Sequence, residues 1–286
     1  MKLTIAHSPD ADDAFMFYAL SENLIDTGPY DLKYVLDDIQ SLSQKAKKQL
    51  YDLTAISFHA YVYLNKYYDL LTCGSSMGIN YGPVLITNKY SKENLLQAIK
   101  TGQTEVLIPG ELTSSYLALR LFAPKAKTKE INFVQIQEEI RENRAPAGLI
   151  IHEGQVTYQD ENLVKLIDLG QWWFQETGFP IPLGVNAVRK SLPEKVKKDL
   201  NTLLKKSILY SFEHLEEALN YSIKFGRTLE REQLFKAEKF IKMYVNDLTL
   251  DLSKEAKNSI ELFLQRGAEK NLVPALKEKI NFVHSN

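Results

Sequence analysis

The sequence predicts an α/β protein with a largely parallel sheet, and three observations carry that prediction. Short strand-like apolar runs recur over roughly the first half of the chain, helical patterns lie between them, and from residue 191 onward the character is helix after helix. The runs are LTIAHSP (3–9), LTAISF (53–58), PVLITN (83–88), TEVLIPG (104–110) and GLIIHE (148–153), each closing in polar or turn residues. A near-continuous apolar stretch such as GLII suits a strand covered on both faces.

The helices follow from periodicity. Phe15, Met16, Ala19 and Leu20 make one apolar face after the acidic segment SPDADD, and Tyr116, Leu117, Leu119, Leu121 and Phe122 make another after TSS. The SLPE segment reads as a capping box, Ser191 at the N-cap and Glu194 three residues on. Val196, Leu200, Leu204 and Ile208 then share a face, and further helical segments cover 229–245 and 253–268.

At 286 residues the chain has room for two ordinary domains or one large one. It contains 44% hydrophobic and 25% charged residues, and its net charge of −1 removes the electrostatic case for nucleic acid or an anionic membrane. A single cysteine, Cys73, leaves no intrachain disulfide and reads as a small buried side chain. No run of eighteen apolar residues occurs, and the first twenty residues lack an apolar secretion core, so a cytoplasmic protein is expected. The sequence sets no oligomeric state. With no repeat and no flexible linker, two lobes would be joined by short extended crossings, PVLITNK and GFPIPLGVNAVRK. That places 1–88 plus 188–286 in a large lobe and 89–187 in a small one, with a ligand cleft between them.

Three segments are candidates for function. Asp10, Asp12 and Asp13 stand between a strand and a helix, where one aspartate would cap the helix and another could hold a ligand hydroxyl. As a metal site the triplet lacks further converging ligands. Thr113, Ser114 and Ser115 follow a Pro-Gly turn and open a helix, so backbone N–H groups and hydroxyls there can receive a carboxylate; a cap explains one hydroxyl and not all three. His152 closes an apolar strand, the position beyond which ligands bind in open α/β sheets, and a neutral imidazole suits a general base. Glu153 would point away from it by strand alternation. His7 and His59 also follow strand-like runs; His214 and His284 lie in polar stretches, and the Trp172-Trp173 and Tyr67-Tyr68 pairs suit packing. Walker, G-x-G-x-x-G, G-x-S-x-G, H-E-x-x-H and paired C-x-x-C signatures are all missing.

Taken together, the SPDADDAFMFYAL opening, the PG…TSSY turn, GLIIHEG followed by TY, the stretch DLGQWWFQETGFPIPLG and the later YVN resemble the 1,4-dihydroxy-6-naphthoate synthase family of the futalosine route to menaquinone, from residue 3 to about 250. The resemblance implies a type II periplasmic-binding-protein-like fold, two α/β lobes around a central cleft. It implies a lyase that needs no cofactor or metal and splits cyclic dehypoxanthine futalosine into a dihydroxynaphthoate and a sugar-derived fragment. It assigns the proton acceptor to His152 and substrate contacts to Ala55, Ile56, Ser57, Ser114 and Ser115; the aspartate cluster itself adds Asp10 as an expected substrate contact. Many relatives read SPCPND where this chain has SPDADD, and Lys, Thr and Ala where it has Ala55, Ser114 and Ser115; backbone N–H donors survive such changes. The expected partner is a small-molecule carboxylate, anchored at Ser114 and Ser115, its hydroxyls near Ser57 and the first turn. His152 would remove a hydroxyl proton and drive retro-aldol-type cleavage. The competing readings are chorismate dehydratase of the same pathway and a solute-binding protein of a transporter.

Overall fold

The structure, a computed structural model, describes residues 1–88, 92–225 and 234–285. The chain opens with β1 (Lys2–His7), α1 (Ala11–Ser21), β2 (Asp31–Leu36), α2 (Ile39–Ala46), β3 (Leu53–Ser57), α3 (Phe58–Leu64), β4 (Tyr68–Leu71) and β5 (Ser76–Gly78). It continues through β6 (Val84–Thr87), α4 (Lys92–Lys100), β7 (Glu105–Ile108), α5 (Ser114–Phe122), β8 (Lys127–Glu130), α6 (Ile136–Arg141), β9 (Gly148–Ile150), α7 (Gly154–Thr157), β10 (Val164–Asp168) and α8 (Leu169–Thr177). It closes with β11 (Ile181–Arg189), α9 (Glu194–Glu213), α10 (Leu215–Ile223), α11 (Leu234–Tyr244), α12 (Asp247–Leu250), α13 (Lys254–Glu269) and β12 (Phe282–Val283).

The strands form two sheets. A seven-stranded sheet runs β12-β4-β11-β3-β1-β2 with β5 also on β11, and a five-stranded sheet runs β10-β6-β9-β7-β8. The expected largely parallel sheet is corrected to a mixed one. β1 pairs parallel with β2 and β3, and β7 with β8 and β9, but β11 is antiparallel to β3, β4 and β5, and β6 is antiparallel to β9 and β10. The chain enters one sheet from the other, so a crossing strand arrives against the direction of its neighbours.

Sheet membership also moves the expected crossings. Val84–Thr87 already belongs to the five-stranded sheet and Ile181–Arg189 wholly to the seven-stranded one, so boundaries at 88/89 and 187/188 fall after one crossing strand and within the other. The chain passes between sheets after Gly78 and returns after Asp168. Glycine is required there: a Cβ on Gly170 would lie 2.0 Å from the Tyr81 carbonyl oxygen. Asp168 caps α8 alongside it, accepting the Gly170 and Gln171 N–H groups at 2.8 and 3.0 Å.

The expected Ser191 cap is not formed. Pro193 occupies the N-cap of α9 and offers no side-chain acceptor, and Glu194 pairs with Lys197 instead of reaching back. The apolar face is as expected: Val196, Leu200, Leu204 and Ile208 are all buried. Of the segment 229–245, residues 229–233 lie outside the described residues, and α11 covers the rest to Tyr244. Cys73 is fully buried, and burial pushes its thiol up to about 12, which makes it packing and not a nucleophile. Trp173 is buried too, its indole N–H donating to Ser259 at 3.2 Å. No helix among the described residues is long and apolar enough to cross a membrane.

Candidate active site

The site starts at the turn from β1 to α1. Helix α1 is buried almost all round, Asp12 and Asp13 included, so its first turn cannot depend on water for its free N–H groups. Asp10 holds the N-cap position with extended backbone, yet its side chain accepts no helix N–H. The aspartate cap expected from the sequence is therefore absent. The Ala11 N–H points instead at Glu153 Oε1, 3.4 Å away, and Asp13 Oδ2 accepts the Ser8 N–H at 2.8 Å.

Relieved of capping, the Asp10 carboxylate accepts the Ser8 hydroxyl and lies 3.3 Å from His152 Nδ1. That is a charge-pair separation whose angle falls short of a formed hydrogen bond; such contacts tighten when substrate arrives. Strand β9 ends at Ile150, and His152 sits beyond it in a left-handed turn, φ 54°. For a residue with a Cβ that conformation costs on the order of 1 kcal/mol. The strand-alternation argument that set Glu153 apart from His152 does not apply in this turn. Glu153, only 1% exposed, enters the same cluster.

Burial pushes the carboxyls of Asp12, Asp13 and Glu153 upward, and the Asp10 charge adds to the shift in each; Asp13 reaches about 7. His7 and His59 move the other way. Burial lowers both to about 4, and each Nδ1–H donates to a backbone carbonyl, of Ser8 and Thr113. His7 also stacks on Phe17 with ring centroids 4.3 Å apart. Both are neutral structural groups, and the histidine that meets an aspartate is His152.

A cavity lies against this cluster, enclosing about 680 Å³ with the solvent at its open mouth included. Ser8, Asp12 and Asp13 form one wall, with Ile151, His152, Gln155 and Tyr244 beside them. Ala55 and Ser57 of β3 line it with Gly184, Val185 and Asn186 of β11, and Thr113, Ser114 and Ser115 face it from the start of α5. Ile56 does not; alternation along β3 sends its side chain into the core. Asp10, 1% exposed, lies behind His152 and outside the lining residues.

Most of the expected hydroxyl contacts are already engaged within the protein. Ser57 Oγ caps α3, accepting the Ala60 N–H at 2.9 Å and donating to the Leu112 carbonyl. Thr113 caps α5, Ser115 Oγ pairs with Thr113 Oγ1 at 2.8 Å, and Ser114 Oγ donates to the Leu183 carbonyl at 2.6 Å. With the Tyr116 N–H taken by Thr113, what α5 offers the cavity is the N–H groups of Ser114 and Ser115, which no preceding turn can satisfy. The cavity is thus polarised. The α5 start favours an anion, and the carboxyl wall opposes one and favours hydroxyl or carbonyl groups.

Aspartate 13 makes the cluster readable by pH. Its folded pKa, about 7, lies above the ordinary 3.8, so the folded state holds the proton more tightly. The stabilisation is complete below pH 3.8 and is lost as pH rises through about 7. Asp13→Asn should therefore leave stability near pH 4 almost unchanged and raise it at pH 8 by up to about 4 kcal/mol, at about 1.4 kcal/mol for each of the roughly three pKa units between the two values. Urea midpoints across that range check it; an unchanged pH slope would show that Asp13 ionises normally.

A two-sheet α/β scaffold around a cavity lined from both sheets defines the class, a periplasmic-binding-protein-like fold. The alkanesulfonate-binding protein SsuA of Xanthomonas axonopodis pv. citri shares it at TM-score 0.72 and 10% identity, over 96% of each chain. A Candida albicans protein described as having the generic periplasmic binding protein fold does so at TM-score 0.66 and 13% identity, covering 100% of this chain and 98% of its own. Nearer in sequence is a crystal structure from Archaeoglobus fulgidus, 35% identical with TM-score 0.88 over 95% of this chain and 98% of that one. A family model described as menaquinone biosynthesis matches residues 3–269, and the chain belongs to that family. It is 31% identical to the 1,4-dihydroxy-6-naphthoate synthase of Thermus thermophilus over 96% of this chain and 97% of that protein. The synthase of Streptomyces coelicolor is also 31% identical, with 96% and 95% covered. The chain is thus an enzyme of menaquinone biosynthesis, with the fold its sequence resemblance implied.

Several residues of the site escaped the sequence reading. Asp12 and Asp13 on the wall stood in plain view as a possible cap, Tyr244 lay unremarked within YVN, and Glu153, in the carboxyl cluster behind the wall, was set aside by an alternation that ends at Ile150. Gln155, whose amide donates to the Tyr244 hydroxyl, carried no signal at all.

Proposed function

We propose that this chain is a carbon–carbon lyase converting cyclic dehypoxanthine futalosine to 1,4-dihydroxy-6-naphthoate, acting in the cytoplasm on a small-molecule carboxylate. The observation that carries the reading is His152 on the cavity wall with the Asp10 carboxylate behind its Nδ1. An Nδ1–H directed at Asp10 leaves Nε2 as the basic nitrogen, and the carboxylate stabilises the imidazolium once a proton arrives. The substrate carboxylate rests on the N–H groups opening α5, with its hydroxyls toward the acidic wall. His152 removes a hydroxyl proton, a carbonyl forms, the adjacent carbon–carbon bond breaks, and aromatisation of the departing ring pulls the reaction forward. The backbone at Ala55, Ile56 and Ser57 positions the bound ring along β3.

This reading is supported by the identity, over nearly full length, to two proteins named for that product; the likeness to sulfonate-binding proteins concerns the fold alone. Incubating the purified protein with cyclic dehypoxanthine futalosine and, in parallel, with chorismate is the test. Release of the naphthoate from the first and no change in the second is expected; dehydration of chorismate, or turnover of neither, would overturn the lyase reading.

A further inference from the structure

We infer that β11 is the floor of the substrate site: the flat ring of the substrate lies on Gly184, whose missing side chain makes the room, and a hydroxyl beyond the ring donates to Asn186 Oδ1. The inference rests on the lyase reading above for the identity of the ring, and its geometry is independent of His152.

A strand keeps a glycine for one of three reasons: a left-handed backbone, a neighbour too close for a Cβ, or the approach of a ligand. Every other glycine among the described residues has one of the first two, a positive φ or an atom within 3 Å of the place its Cβ would take. Gly184 has neither. Its φ is not positive, and a Cβ there would meet only the Ile56 carbonyl oxygen, at 3.8 Å. The irregular register of β11 against β5, between Pro182 and Gly184, contains no left-handed residue and so demands no glycine. Gly184 is half-buried and lines the cavity. The approach of a ligand is the reason that remains.

Strand register sets how that ligand lies. Gly184 stands opposite Ser57 of β3 and Ser76 of β5, and Asn186 stands opposite Ala55, all of them on the cavity lining and on one face of the sheet. At one end of this floor Ser114 Oγ donates to the carbonyl of Leu183, the residue before Gly184, which brings the α5 N–H groups to its edge. At the other end Asn186 follows two residues along the strand, about 7 Å away. Its Nδ2 donates to the Gly74 carbonyl at 2.8 Å. A carbonyl only accepts, so this contact fixes which end of the amide is nitrogen and leaves Oδ1 as an acceptor. Asn186 is 1% exposed, its Oδ1 has no partner among the described residues, and Ala55 opposite has no polar side chain to supply one. Unlike the carboxyls of the acidic wall, an amide does not titrate, so it accepts at every pH. A ligand anchored by its carboxylate at α5 therefore finds a flat space over Gly184 and a hydroxyl acceptor beyond it. That is the layout of a hydroxylated naphthoate.

Calorimetric binding of 1,4-dihydroxy-6-naphthoate and of 2-naphthoate, the same acid without its hydroxyls, tests the floor. Wild type should bind the dihydroxy acid about tenfold or more tightly, the worth of one hydrogen bond to a buried acceptor otherwise unpaired. Gly184→Ala should weaken both acids about tenfold by filling the ring's place. It should also raise KM for cyclic dehypoxanthine futalosine with kcat within about threefold, and melt at or above the wild type. Asn186→Ala should bring the two affinities within about threefold of each other, a ratio that loss of folded protein does not move. Wild-type affinity for 2-naphthoate in Gly184→Ala, an unchanged ratio in Asn186→Ala, or a wild type that binds neither acid overturns the inference. Both expected binding effects in a protein that does not turn over cyclic dehypoxanthine futalosine would overturn the lyase reading and support the floor.

Discussion

Replacing His152 with alanine is expected to cut kcat by about 10² to 10⁴-fold, the usual contribution of a general base, while ligand binding persists. The separation of the two effects follows from the layout of the cavity. The groups proposed to anchor the substrate, the first N–H groups of α5 and the β3 backbone, belong to other elements than the turn that carries His152. The loss should therefore fall on kcat and leave KM nearly as it was. A double-mutant cycle gives the test its resolution. Asp10 is outside the cavity lining and meets the cavity through the imidazole, so Asp10→Asn should slow the wild type and add little once His152 is gone. Wild-type turnover in His152→Ala would remove this histidine from the mechanism. A full Asp10→Asn effect in the His152→Ala background would instead give Asp10 a role of its own.

How far the site could be read from sequence depends on what each residue answers to. The α9 face of Val196, Leu200, Leu204 and Ile208 was legible because burial of one stripe is a local, periodic demand. His152 was legible as a residue near a strand end. Its partner was not, because Asp10 and His152 meet only when the turn after β9 is laid against the start of α1, a contact that no local pattern encodes. The same contact explains the failed cap. Propensity puts an aspartate at the N-cap to satisfy the helix itself, whereas here the first helical N–H turns to Glu153 from another element and the Asp10 side chain faces the histidine. Strand direction failed for a related reason: alternating strands and helices suggest parallel pairing, and two crossings between sheets reverse β6 and β11. Local rules were overridden where the two halves of the chain meet, and that is where the cavity lies.

The largest effect on stability is expected far from this chemistry. Lys197 of α9 donates to Asp69 Oδ2 at 2.8 Å, and both residues are 3% exposed or less. Taking two charges out of water is expensive, so the pair itself adds little, but removing one member strands the other. Lys197→Met keeps the aliphatic length and leaves Asp69 in β4 with Lys190 as its one cation among the described residues, whose ammonium is 3.9 Å away and also engages Glu278. The loss should be about 3–5 kcal/mol, a fall in the urea midpoint of roughly 1 M or more at a slope of about 3 kcal/mol/M, with kcat of the folded fraction unchanged. Adding Asp69→Leu removes the stranded carboxylate and should recover most of the loss, since an apolar pair can replace a buried ion pair. A single-variant loss below about 1 kcal/mol, with no gain from the second substitution, would mean that Lys190 alone neutralises Asp69 and that Lys197 is held there by packing.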